Sequence, residues 1–160
     1  DMHLFDDIKY FELRLYAAQG QWTKLKERIQ QGVVFGPYRE GERIYYDALT
    51  HYASGDTVHA AKQFNWLAYN NPYFDEGIVT AAAYFMGHGA DKLKVYTILS
   101  EALLVNPNAV KILKAYIAMA HELGYNAYAD SALRTLQPLI SSSAFREFVV
   151  ENQLSGSLLQ

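Results

Sequence analysis

Five histidines, at positions 3, 51, 59, 88 and 121, are the side chains best suited to hold a metal ion or to move a proton near neutral pH. Their spacing favours neither task. A helical zinc protease needs two histidines four residues apart with a glutamate beside the first; His121-Glu122 supplies half of that pattern and stops. Each histidine is therefore read as a packing or surface residue, with no metal site. The paired carboxylates Asp6-Asp7 and Asp75-Glu76 fall near expected helix starts, where negative charge meets the positive end of the helix dipole, so they need no acid–base role. Gly87-His88-Gly89 lacks both the preceding strand and the downstream Lys-Ser/Thr of a phosphate loop and reads as a turn. Ser141-Ser142-Ser143 is not set as a nucleophile elbow and suits a helix N-cap. With no catalytic pair and no cofactor motif, the reading is a chain that is not an enzyme.

The remaining candidates are binding residues. Thirteen tyrosines offer large amphipathic contact area at low entropic cost. Lys111 and Lys114 stand three apart and share a helical face. A net charge of −3 and the absence of any run of five like charges argue against a nucleic-acid partner, which would need a basic footprint. No cysteine is available for disulfides or thiolate chemistry. Apolar stretches such as Ala81 to Phe85 are far shorter than the ~20 residues that cross a bilayer, so no membrane span is expected. The opening Asp1-Met2-His3 lacks the basic and apolar blocks of a signal peptide, and membership of a larger protein or assembly is the expectation.

The elements that would position such residues follow a clock. Gly20, Gly55, Gly89 and Gly124 are 35, 34 and 35 residues apart, and Pro37, Pro72 and Pro107 are 35 and 35 apart. Each glycine closes one apolar helical stretch and opens a second, and each proline marks where the second must stop, so one period is one helical hairpin. Counting from each glycine, Leu25, Ala60 and Ala129 recur five residues on, and Ile29, Phe64 and Leu133 nine residues on. In the third period Lys94 and Ile98 fall there, and allowing one extra residue at Gly89-Ala90-Asp91 brings Val95 and Leu99 into place. Gly32 occupies the position of Leu67, Ala102 and Leu136, where close approach of a neighbouring helix would explain it. The spacing predicts helices over 5–18, 22–34, 40–53, 57–70, 74–87, 91–105, 109–122, 126–139 and 142–153. These make one all-α domain over 5–153, with hairpins at about 5–37, 38–72, 73–107 and 108–141, a capping helix at 142–153, and a tail or linker at 154–160.

The stretch Ala48-Leu49-Thr50-His51-Tyr52-Ala53-Ser54-Gly55-Asp56, continued by Ala60, Phe64 and Asn71-Pro72, resembles the tetratricopeptide repeat. Glu101-Ala102-Leu103-Leu104-Val105-Asn106-Pro107 does so too, as does Leu123-Gly124-Tyr125 with Ala129 and Leu133. Gln19-Gly20-Gln21-Trp22 with Leu25, Ile29 and Pro37 follows the pattern more faintly. Asp47 departs from it, standing where the family has an apolar residue, and Val95 stands where it prefers alanine. The resemblance implies a right-handed α-α superhelix, a solenoid whose inner groove is lined by the first helix of each hairpin and holds a protein or peptide segment. Carried over, the groove positions are Tyr10 and Arg14; Tyr45, Leu49 and Tyr52; Val79, Ala83 and Met86; and Lys111, Lys114 and His121. Such a surface is aromatic in its first half and weakly basic in its second, which suits a peptide with apolar anchors and an acidic end. The Lys and Asn set with which some family members hold a terminal carboxylate is not visible. Two alternatives stand beside peptide binding: a structural spacer or homo-oligomerisation module, and a more remote pentatricopeptide-like RNA binder, against which the acidic pI of 5.9 argues.

Overall fold

The structure, a computed structural model, describes residues 2–31, 35, 39–71 and 73–154, with residues 2–7 as backbone alone. Gly32, Pro37, Pro72 and tail residues 155–160 lie outside the described residues. Those that are described form an all-α protein of nine α-helices and one 3-10 turn, with no strand among them. The helices are α1 (Met2–Ala18), α2 (Trp22–Gln30), α3 (Glu40–Ala53), α4 (Thr57–Tyr69), α5 (Asp75–Gly87), α6 (Lys92–Val105), α7 (Val110–Glu122), α8 (Asn126–Leu136) and α9 (Ser142–Glu151).

The four clock glycines build the same bend. Each takes a left-handed backbone, with φ of 66°, 83°, 80° and 75° for Gly20, Gly55, Gly89 and Gly124, a region where any Cβ is strained. Each glycine N–H donates to the carbonyl three residues back, namely Ala17, Tyr52, Met86 and His121, at 3.0–3.4 Å. The following N–H donates to the carbonyl five residues before it, Tyr16, His51, Phe85 and Ala120, at 2.8–3.0 Å. This is the Schellman closure, which satisfies carbonyls that the helix end would otherwise orphan. In the third bend Ala90 is the additional residue, and accordingly Val95 is buried while Lys94 is exposed.

The chain divides into two compact units, Asp1–Gly77 and Ile78–Gln160, and α5 begins in the first and continues in the second. In the first unit α2 packs on both α1 and α3, and α3 pairs with α4. Its core gathers Tyr10, Leu13, Leu25 and Tyr46, flanked by Tyr16, Ile29, Phe35 and Tyr45. Ala48 on α3 and Ala60, Phe64 and Leu67 on α4 are buried, so small and large residues alternate in that hairpin. Asp56 caps α4 by accepting from the His59 N–H at 3.2 Å, and Arg28 Nε meets Glu12 at 2.7 Å to tie α2 to α1.

In the second unit α7 packs on α6 and α8. Leu113, Ile117 and Ala120 of α7 share a core with Ala129, Leu133 and Leu136 of α8, and α9 covers it with Phe145, Phe148 and Val149. The helix expected over 126–139 ends at Leu136, and Gln137–Leu139 form a 3-10 turn. Pro138 is the cause, since it has no N–H to donate and its ring would strike the carbonyl four residues back in a continued α-helix. Ser141 then caps α9, its Oγ accepting from the Ala144 N–H at 3.2 Å. Helix α9 stops at Glu151, two residues short of the expected end, because Gln153 turns left-handed at φ 53°. The N–H of Gln153 donates to the Val150 carbonyl and that of Leu154 to the Val149 carbonyl, which is the closure of the four glycine bends made without glycine.

Candidate functional site

In the first unit, a cleft of about 430 Å³ is bounded by Tyr10, Phe11 and Arg14 of α1, by Arg39 and Glu42 at the start of α3, and by Phe74. Residues 10, 11 and 14 meet there because positions three and four apart share a helical face and position 11 adjoins them. Tyr10 is only 8% exposed; its ring packs against Phe35 at 5.3 Å and carries the Arg39 guanidinium at 3.9 Å. Phe11 is 66% exposed, and Arg14 is exposed beside it. Glu42 accepts from the Tyr46 hydroxyl at 3.3 Å. Burial, reinforced by the charge of Glu42 and by that hydrogen bond, pushes the Tyr46 phenol well above the ordinary tyrosine range.

Phe74 is set in place by its neighbours. Asn71 donates to its carbonyl at 2.7 Å and accepts from its N–H at 3.1 Å, while Tyr45 meets its ring edge-on at 5.2 Å. Tyr45, half-buried, thus reaches the same cleft wall through Phe74. Leu49, one turn further along α3, is half-buried. Tyr52 is 49% exposed and stands edge-on to Phe64 of α4, so part of its ring belongs to the hairpin interior. Phe11, Arg39, Glu42 and Phe74 were not among the residues expected from sequence. Phe11 adjoins Tyr10, and Arg39 and Glu42 are one turn apart, but only tertiary packing brings them to Phe74.

Helix α3 also carries a charged network. Arg43 bridges Glu40 and Asp47, with Asp47 Oδ2 at 3.5 Å from Nη1. The hydrogen bond from Arg43 holds the Glu40 carboxyl below its usual range. Asp47 goes the other way: burial raises its carboxyl, outweighing the Arg43 and His51 charges. It borders a small cavity of about 120 Å³ lined also by Lys26, Ile29, Thr50 and His51.

In the second unit Val79 and Met86 are half-buried and Ala83 is exposed on α5. Lys111 is exposed on α7, and His121 is half-buried at its end. Lys114 is half-buried with its ammonium 5.9 Å from the Phe148 ring, so α9 engages that cation. A second cleft of about 390 Å³ runs among α6, α7 and α8, and no charged side chain lines it among the described residues. Tyr96 and Tyr116 close its base with hydroxyls 2.9 Å apart and rings stacked at 5.2 Å. Burial and the Tyr96 hydrogen bond raise the Tyr116 phenol. Leu104, on the rim of this cleft, is 83% exposed.

Among the described residues, no group of three or more metal-ligating side chains comes together, and no helix is long and apolar enough to cross a membrane. No family model, no curated protein and no solved structure matches the chain.

Proposed function

We propose that this chain is a non-catalytic protein- or peptide-binding module built of tetratricopeptide-like hairpins, wound as a right-handed solenoid and binding along the face of its first helices. The observation that carries the reading is the fourfold recurrence of one bend, glycine φ and hydrogen bonds included, at a period of about 35 residues. A chain written as repeated hairpins presents the same face of each first helix again and again, and repeated faces suit extended segments of another chain. The cleft carrying Phe11, Arg14 and Phe74 supports the reading with aromatic anchors partly open to solvent.

Selection of displayed peptides on the immobilised chain tests it. Selected sequences are expected to lose at least about tenfold in affinity for a folded Tyr45→Ala, Tyr52→Ala double variant, as anchor truncation does. Unchanged affinity in a variant with an unchanged melting curve would place recognition elsewhere.

The uncharged cleft of the second unit favours a second reading, self-association, because an exposed leucine beside an apolar hollow is a ready contact between copies. Light scattering decides: a dimeric mass that becomes monomeric in Leu104→Glu supports self-association, and a monomeric parent chain removes it.

A further inference from the structure

We propose that the cleft between α1 and the start of α3 is a subsite for one carboxylate side chain of a peptide, with an adjoining aromatic or large aliphatic residue seated on Phe11 and Phe74. The proposal rests on the peptide-binding reading and names the chemistry it selects.

The charge inventory of the first unit is the starting point. It holds four arginines. Arg28 is paired with Glu12, and Arg43 with Glu40 and Asp47. Arg14 and Arg39 pair with no carboxylate among the described residues, and both border the same cleft. Arg39 lies flat enough on Tyr10 for its guanidinium carbon to sit 3.9 Å from the ring centroid. Stacking uses the face of a guanidinium and leaves its in-plane N–H groups for an acceptor, and carboxylate oxygens match that fork.

The third charge of the cleft limits the ligand. Glu42 opposes the two arginines, and its oxygen already accepts from Tyr46. Among the described lining residues two cations stand against one anion, which leaves room for a single added carboxylate. A polyphosphate backbone brings several charges past Glu42 and toward a chain of net charge −3, so an acidic peptide is favoured over a nucleic acid. Beside the arginines, Phe11 is exposed and Phe74 is held rigidly by Asn71, which gives an apolar contact at little ordering cost.

Fluorescence anisotropy on the intact chain tests this with three labelled peptide libraries carrying a fixed central Phe-Glu, Phe-Gln or Phe-Lys pair, and with labelled oligouridylate. The Phe-Glu library is expected to bind about fivefold tighter than Phe-Gln at low salt, with the advantage shrinking as salt rises. That preference should vanish in Arg14→Gln and in Arg39→Gln, and Arg14→Glu should turn it toward Phe-Lys. Should loss of the Tyr10 stack unfold Arg39→Gln, the exposed Arg14 carries the test alone: an undiminished preference for glutamate in Arg14→Gln overturns the subsite. Equal binding of Phe-Glu and Phe-Gln overturns the subsite and leaves peptide binding standing. Binding of none of the libraries overturns both, and tighter binding of oligouridylate replaces the acidic peptide with a polyanion.

Discussion

The side-chain amide of Asn71 bonds both backbone groups of Phe74, donating to its carbonyl at 2.7 Å and accepting from its N–H at 3.1 Å. Asn71 is buried, and two glycines make its position tenable. A Cβ on Gly41 would lie 2.1 Å from Asn71 Oδ1, and one on Gly77 would lie 2.9 Å from Asn71 Nδ2. The amide therefore works as a bracket between α3 and α5 that sets where Phe74 faces the cleft.

Gly41→Ala is accordingly expected to destabilise the chain by about 1–3 kcal/mol, since Asn71 can yield only by giving up its bonds to Phe74. Asn71→Ala should cost about the same by leaving the Phe74 N–H without its acceptor, while the Phe74 carbonyl keeps the Gly77 N–H. Urea unfolding of both variants and of the double variant measures this. The double variant should be less damaged than the sum, because removing the amide also removes the closest clash, leaving only the Phe74 Cβ at 3.2 Å.

The bends give a contrast between glycines that must and need not be glycine. A Cβ added to Gly55 would meet only open space, but its φ is 83°, so Gly55→Ala is expected to cost about 1–2 kcal/mol through backbone strain alone. Gly87 is equally uncrowded and lies in the last position of α5 with no left-handed backbone, so Gly87→Ala should be neutral or stabilising by up to about 1 kcal/mol. In thermal melts the midpoint should fall for Gly55→Ala and hold or rise for Gly87→Ala.

Much of the architecture was legible because it rests on local chemistry that repeats. A left-handed turn about every 35 residues favours glycine, and counting from it found the buried Leu25, Ala60, Phe64, Val95 and Leu133 once the third bend was lengthened. Pro138 lay inside an expected helix although a proline there should have ended it, and the structure replaces that stretch with a 3-10 turn. The cleft was less legible. Asn71-Pro72 read as a helix stop, whereas the amide of Asn71 acts on Phe74 three residues later and packs against the nearby Gly77 and the sequence-distant Gly41. Tyr10 and Arg14 were named by carrying groove positions over from the repeat resemblance, but which faces α3 and which faces solvent depends on packing that one helix does not encode.

Asp47 marks a place where an ionisable group sits against its own preference. Arg43, Glu40, His51 and Lys26 surround it, and burial still raises its carboxyl. A raised carboxyl binds its proton more tightly when folded, so the folded state holds more protons than the unfolded one and stability falls as pH rises through the window above the ordinary aspartate range. Asp47→Asn removes that loss. Its advantage over the parent chain should be present near neutral pH and disappear on acidification below the ordinary aspartate range. Glu40 contributes with the opposite sign, its lowered carboxyl losing stability as pH falls, but it is common to both chains and cancels in the difference. Parallel urea melts across pH read the sign directly.

Gln153 closes α9 in the conformation that glycine takes at the other bends, with φ 53° against 66° to 83° for the four glycines. The hydrogen bonds to Val150 and Val149 are already made, and among the described residues no hydrogen bond from the Gln153 side chain offsets the strain of its backbone. Replacing it by glycine relieves the contact between Cβ and its own backbone at the cost of a more flexible unfolded chain, and the first effect is the larger. Gln153→Gly is expected to stabilise the second unit by about 0.5–1 kcal/mol. The mirror substitution Gly124→Gln, at the bend between α7 and α8, should destabilise it by at least as much. Amide hydrogen exchange in α9 and α8 separates the two: slower exchange near Phe148 in the first variant and faster exchange near Leu133 in the second would follow, and unchanged rates in both would show that the left-handed position carries no strain.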